Sequence, residues 1–150
     1  MKFEKFLKSC GTHGQIVKRE NGDKWLVCGG VGMKVPTGVV NLLGAGEVSE
    51  ETRDIVELIV TADTDDRVQL TEAYIPADGK TSDIVRIFGD DFYDETVRIR
   101  NADFGLLEKS DVLLAYLRIE DNEDPERDAE VLLVLDPAEE VIGFITGVPE

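Results

Sequence analysis

The chain has 150 residues, the length of one ordinary domain, and its composition of 42% hydrophobic and 32% charged residues excludes a wholly disordered polymer. Its 32 Asp and Glu against 16 Lys and Arg leave a formal net charge of −16, which disfavours a direct grip on nucleic acid or an anionic membrane, since both need clustered positive charge. A domain of this size buries enough surface to fold without disulfide or metal staples.

In chain order, Met1 to Gly11 (MKFEKFLKSCG) begins with basic residues and a Leu-Lys-Ser-Cys stretch similar to a lipoprotein cleavage site. Glu4, Lys5 and Lys8 interrupt the apolar run of about 7 to 15 residues that a signal peptide requires, so the chain is expected to stay unexported. Phe3, Phe6 and Leu7 instead share helical spacing, and Gly11 ends the short amphipathic helix they predict. Gln15 to Arg19 and Lys24 to Cys28 flank Glu20-Asn21-Gly22-Asp23, and Asn-Gly between apolar alternations predicts a hairpin. Gly29, Gly30 and Gly32 then mark a bulge, a sharp turn or a close backbone approach. A further strand is expected to begin within Met33 to Pro36, followed by the short apolar run Val39 to Leu43.

Ser49 followed by Glu50 and Glu51 predicts a helix start, with Ile55, Leu58, Ile59 and Ala62 on one face. The β-branched Ile55, Val56, Ile59 and Val60 leave a strand as the alternative, and the helix is preferred. Beyond Asp63-Thr64-Asp65-Asp66, strands are expected at Arg67 to Ile75, Ile84 to Phe88, Thr96 to Arg100, Val112 to Glu120, Glu130 to Leu135 and Val141 to Thr146. Turn chemistry such as Asp78-Gly79 and Asp136-Pro137 separates them, and Ala102 to Lys109 reads as a helical turn. Asp121 to Asp128 (DNEDPERD) reads as an exposed hairpin loop. The expected fold is α+β and mainly β: an antiparallel sheet, barrel or sandwich with one to three short helices. The longest apolar runs, Val112 to Leu117 and Val131 to Leu135, are far too short to cross a bilayer as a helix.

Charge divides the single domain, residues 1–150, into two parts. Residues 1–46 carry seven Lys and Arg against three acids, a net of +4, together with nine of the 14 glycines. Residues 47–150 carry nine bases against 29 acids, a net of −20. The basic, Gly-rich N-terminal lobe is therefore expected to pack against acidic surface, that of its own β-rich body or of another copy.

No nucleophile elbow, phosphate-binding loop, HExxH helix or dinucleotide fingerprint is present, which points to a protein with no catalytic residues and no cofactor. Cys10, His13 and Cys28 have zinc-compatible residue types, but a fourth ligand is missing; the preferred reading is two reduced thiols without metal. Asp63, Asp65 and Asp66 start like a calcium loop but meet Arg67 and Val68 where an acid and Gly are needed. Asp121 to Asp128 fails likewise at Pro125. Asp90, Asp91, Asp94 and Glu95 have the ligand chemistry for an ion in an irregular loop, but solvated hairpin tips are the preferred reading of such acids. Trp25 between Lys24 and the later Lys34 would make a compact partner-binding epitope if its indole were exposed.

The stretches GDKWLVCGGVGMKVP (22–36), AYIPADGKTSDIVRIF (73–88) and NADFGLLEKSD (101–111) resemble small uncharacterised phage- and prophage-encoded proteins of gut Firmicutes. That resemblance implies a virion component or an accessory protein made during infection, located in the cytoplasm or in the particle, and it carries over no catalytic residues. Two functions of different class follow. One is a non-enzymatic phage or prophage structural or assembly protein acting through contacts with other proteins or its own copies, without direct binding to nucleic acid or membrane. The other is an acidic DNA mimic that inhibits a host nucleic-acid-binding protein, with a small enzyme of unrecognised class as a third reading.

Overall fold

The structure, a computed structural model, describes residues 1–38, 48–77, 83–92, 94–121, 123–125 and 128–148. Nine strands form one antiparallel sheet that does not close into a barrel, accompanied by three short helices. The strands are β1 (Gln15–Lys18), β2 (Lys24–Cys28), β3 (Val31–Lys34), β4 (Arg67–Ile75), β5 (Val85–Gly89), β6 (Thr96–Arg100), β7 (Leu114–Ile119), β8 (Ala129–Leu135) and β9 (Val141–Thr146). The helices are α1 (Phe3–Cys10), α2 (Glu50–Val60) and α3 (Asn101–Phe104). Their order across the sheet is β1-β2-β3-β9-β8-β7-β4-β5-β6. The apolar run Val39 to Leu43 and the Asp78-Gly79 turn lie outside the described residues.

The local signals act as expected at most positions. Gly22 adopts φ 93° in the β1–β2 turn, and Gly29 and Gly30 take φ 60° and 80° between β2 and β3, a left-handed pair that tightly reverses the chain. That early reversal starts β3 at Val31, so it ends at Lys34 where the sequence places a strand's beginning near Met33. At residues 49–62 the helix prevails over the strand: the Ser49 hydroxyl accepts the Thr52 N–H at 3.2 Å, and Glu50 and Glu51 sit in the first turn. β7 is shorter than the Val112 to Glu120 run, and Val112 is 73% exposed ahead of it. The helical turn at Ala102 to Lys109 contracts to α3.

β8 organises the core because both its faces are covered. Leu132 and Val134 point into one cluster, with Phe6 and Cys10 of α1 and with Phe88, Val97 and Ile99 of β5 and β6. Val131, Leu133 and Leu135 point into the other, with Val56 and Ile59 of α2, Trp25 and Phe144. This double burial is why the strand reads as a continuous apolar run instead of an alternation. For β5 and β6 to reach the first cluster, β4 must turn out of the main plane. Its start pairs with β7 through Arg67 and Val68, and from Gln69 on it pairs with β5, with a register shift between Leu70 and Tyr74. The chain beyond β9 holds the folded-over strands in place: Gly147 N–H donates to Glu130 O and Val148 N–H to Arg98 O, both at 2.7 Å. Gly147 fits there because a Cβ would lie 2.9 Å from Val97 and 3.0 Å from the Glu130 carbonyl.

The basic N-terminal segment is not a separate lobe resting on the body. β3 pairs with β9, so β1 to β3 extend the same sheet. Across this junction the Arg19 guanidinium makes two 3.0 Å hydrogen bonds to the Glu57 carboxylate on α2, and the Met1 amine lies 2.7 Å from Asp111. Arg19 and the terminal amine thus each meet an acid of residues 47–150 within the chain.

Gly32 stands opposite Phe144 in the β3–β9 ladder, and the Phe144 ring occupies the space a Cβ would need. Gly32→Ala is expected to destabilise the fold by about 1–3 kcal/mol through overpacking, measured as a lower urea midpoint. The Arg19–Glu57 pair is exposed on the Glu57 side, so Arg19→Gln should cost no more than about 1 kcal/mol at neutral pH. The Arg19 hydrogen bonds hold the Glu57 carboxyl below its usual range. A depressed folded-state value contributes stability above the ordinary Glu range and loses it as pH falls through the folded value, so wild type and variant should converge in acid.

Candidate functional site

The two helix-bearing sides of the sheet leave different surfaces open. On the α2 side, a cleft of about 740 Å³ lies between the helix and the strands beneath it. Thr52, Ile55, Val56 and Ile59 supply its α2 wall, while Val27, Ile119, Val131 and Phe144 supply the sheet side. Glu120, Asp121 and Glu123, where β7 runs into its hairpin, add carboxylates to the lining. No basic residue lines this cleft among the described residues. The apolar surface continues onto the helix exterior, where Ile55 is 45% and Leu58 53% exposed.

Sequence spacing places Ile55, Leu58, Ile59 and Ala62 on one helical face, and the structure shows which apolar residues of the helix are buried. α2 buries Val56 and Ile59 and leaves Ile55 and Leu58 outward. Four apolar residues at 55, 56, 58 and 59 are too wide a stripe for one contact with a sheet. That excess width is the signal that points to the open surface.

A second, polar cleft of about 510 Å³ lies between the start of β4 and the β5–β6 turn. Asp65, Asp66, Asp90, Asp91, Asp94 and Glu95 line it, and Phe92, 81% exposed, stands at its edge. Burial, then repulsion from Asp66, Asp90 and Asp94, raises the Glu95 carboxyl above its usual range. The acids also close turns: Asp65 N–H donates to Asp63 Oδ1 and Asp94 N–H to Asp90 Oδ1. In the DNEDPERD loop the Asp121 carboxylate accepts the Glu123 and Asp124 N–H groups, and Asp128 accepts from Arg118 and the Asp121 N–H. Among the described residues no group of three or more His, Cys, Asp or Glu side chains is placed to hold a metal ion.

The partner-binding epitope expected at Lys24, Trp25 and Lys34 does not form around an exposed indole. Trp25 is 0% exposed, packed under α2, with its ring 6.0 Å from that of Phe144 and inclined by 22°. β2 is covered on both faces, so Trp25 points to the α2 cluster while its neighbour Leu26 points to the α1 cluster. The indole Nε1 is left without a hydrogen-bond acceptor. Lys24 remains exposed, and half-buried Lys34 lies 3.5 Å from Asp23. Of Cys10, His13 and Cys28, the fold brings the two cysteines together and leaves His13 exposed, its backbone N–H donating to the Cys10 carbonyl at 3.0 Å.

No helix among the described residues is long and apolar enough to cross a membrane. No protein-family model matches the chain, and comparison with curated proteins and with solved structures yields no match.

The acidic cleft has a pH signature. Because the Glu95 carboxyl is raised, its charged form weakens the native state at neutral pH, and protonation relieves that cost as pH falls through the raised value. Glu95→Gln is expected to stabilise the protein by up to about 0.5 kcal/mol at pH 7. Urea midpoints at pH 7 and at pH 3, where the difference should disappear, check this.

Proposed function

We propose that this protein is a non-enzymatic structural or assembly protein of a phage or prophage particle, working through protein–protein contacts. The observation that carries the reading is the apolar cleft beside α2 with its carboxylate lining and the exposed Ile55 and Leu58 next to it. Contiguous exposed apolar surface framed by polar groups is the physical mark of a protein-binding site, because leaving it in water is costly unless a partner covers it. The partner segment that suits it is apolar with basic flanks, since like-charged acids would be repelled by Glu120, Asp121 and Glu123. Such a partner also offsets the net charge of −16, which otherwise opposes assembly of this chain with itself.

A specific observation favours a second reading, the acidic mimic of DNA: six carboxylates line one cleft beside an exposed aromatic ring. A mimic needs its acids in rows at phosphate-like spacing, whereas the Asp90 carboxylate closes a turn and the others gather around a strand start and a hairpin turn. The structural role is therefore preferred.

The test is proteomics of gradient-purified particles from the source prophage, comparing wild type with an Ile55→Asp, Leu58→Asp double variant. Both residues are exposed, so the variant should keep the wild-type unfolding midpoint within about 0.5 kcal/mol. Wild-type chain is expected in particles at fixed stoichiometry and the variant at least tenfold depleted. Absence of the wild-type chain overturns the particle role; equal incorporation of the variant overturns the α2 surface as the contact. Binding to a host nucleic-acid-binding protein that duplex DNA displaces would instead establish the mimic.

A further inference from the structure

Cys10 ends α1 and Cys28 ends β2, and they are the chain's two cysteines. Strand register first brings them near each other. Gln15 pairs with Val27, so the next positions outward, Gly14 and Cys28, stand opposite one another at the open end of the hairpin. Opposed residues of an antiparallel pair project to the same side of the sheet. A Cβ built at Gly14 would lie 3.2 Å from Cys10 Cβ and 3.7 Å from Cys10 Sγ. The Cys10 side chain therefore fills the space that Gly14 leaves, directly beside Cys28. The two side chains are neighbours, and both residues pack in the cluster that holds Phe6 and Leu26. Both are free cysteines.

We propose that Cys10 and Cys28 are a redox-modification site: a reversible disulfide that fastens the end of α1 to the β1–β2 hairpin, with a low-molecular-weight disulfide as the oxidant. Cys28 is half-buried and Cys10 only 2% exposed, so Cys28 meets the oxidant first. Its thiolate attacks one sulfur of the reagent, breaking that S–S bond, forming a mixed disulfide and releasing one small thiolate that takes up a proton. The Cys10 thiolate then attacks Cys28 Sγ, forming the protein disulfide and releasing the second small thiol. Two protein thiols are oxidised and one reagent disulfide is reduced to two thiols. Burial and the neighbouring Cys28 push the Cys10 thiol up to about 12, which makes the second step the slow one.

The bond would complete the attachment of α1. The other end is already held, by Lys2 N–H donating to Leu106 O at 2.8 Å. A cross-link between residues this far apart in sequence restricts the unfolded chain, so the oxidised protein should resist denaturation better than the reduced one.

The experiment incubates the full, folded chain with oxidised glutathione, then unfolds it in an alkylating agent and measures the intact mass. The expected result is a monomer lighter by two hydrogens with no alkylatable thiol, reverting on addition of dithiothreitol and unfolding at a higher urea concentration. Cys10→Ala should stop at a glutathione adduct on Cys28. Wild-type protein that retains two alkylatable thiols, or stops at the same adduct, or cross-links between chains, overturns the proposal. The decisive measurement is on the wild type, so a Cys10→Ala variant that fails to fold leaves it intact.

Discussion

The burial of β8 on both faces is the constraint on which the other features of this protein depend. A strand with Val131, Leu133 and Leu135 on one side and Leu132 and Val134 on the other needs a cover on each. α2 provides one. The other is supplied jointly by α1 and by β5 and β6, which reach it only because β4 leaves the main sheet after Val68 and continues in a second plane. The corner in β4, the docking of the N-terminal helix and the tight passage at Gly147 all follow from the need to close that face. The β9 side adapts as well: a register shift opposite Val134 and Leu135 lets Val141 and Phe144, three residues apart, both enter the α2 cluster.

Coverage of the two faces is unequal, and the difference creates the open surface. An eleven-residue helix spans only about 16 Å. Val56 and Ile59 reach the core, while Ile55 and Leu58 are left at the margin of an apolar cleft. Trp25 and Phe144 extend beneath α2, so this aromatic contact supports the helix and is withheld from solvent.

Charge follows the same geometry. The acids accumulate where strands end, at the β4 entrance, the β5–β6 turn and the β7–β8 hairpin, and many accept backbone N–H groups there. Lys18, Lys24 and Lys34 lie on strands of the same sheet as the acidic body, and Arg19 links β1's end to Glu57 on α2. Such an exposed pair orients α2 more than it stabilises it. Apolar burial, more than charge, fixes the arrangement.

Local chemistry in the sequence determined most of the elements. Asn21-Gly22 imposed the first hairpin, Ser49 with two following acids started α2, and period-two apolar spacing set β6. These signals are legible because capping, turn conformation and side-chain alternation act between residues a few positions apart. The charge split was legible too, but not its consequence, since composition does not say whether a basic segment rests on a sheet or joins it. Only the tertiary structure decided that Trp25 is interior, that Ile55 and Leu58 stay exposed and that Cys10 meets Cys28 without His13. Each depends on which element covers which face. Trp25-Leu26 reads as a half-exposed strand until both covers are known, and cysteines on different elements become neighbours only when the β1–β2 register sets Gly14 opposite Cys28.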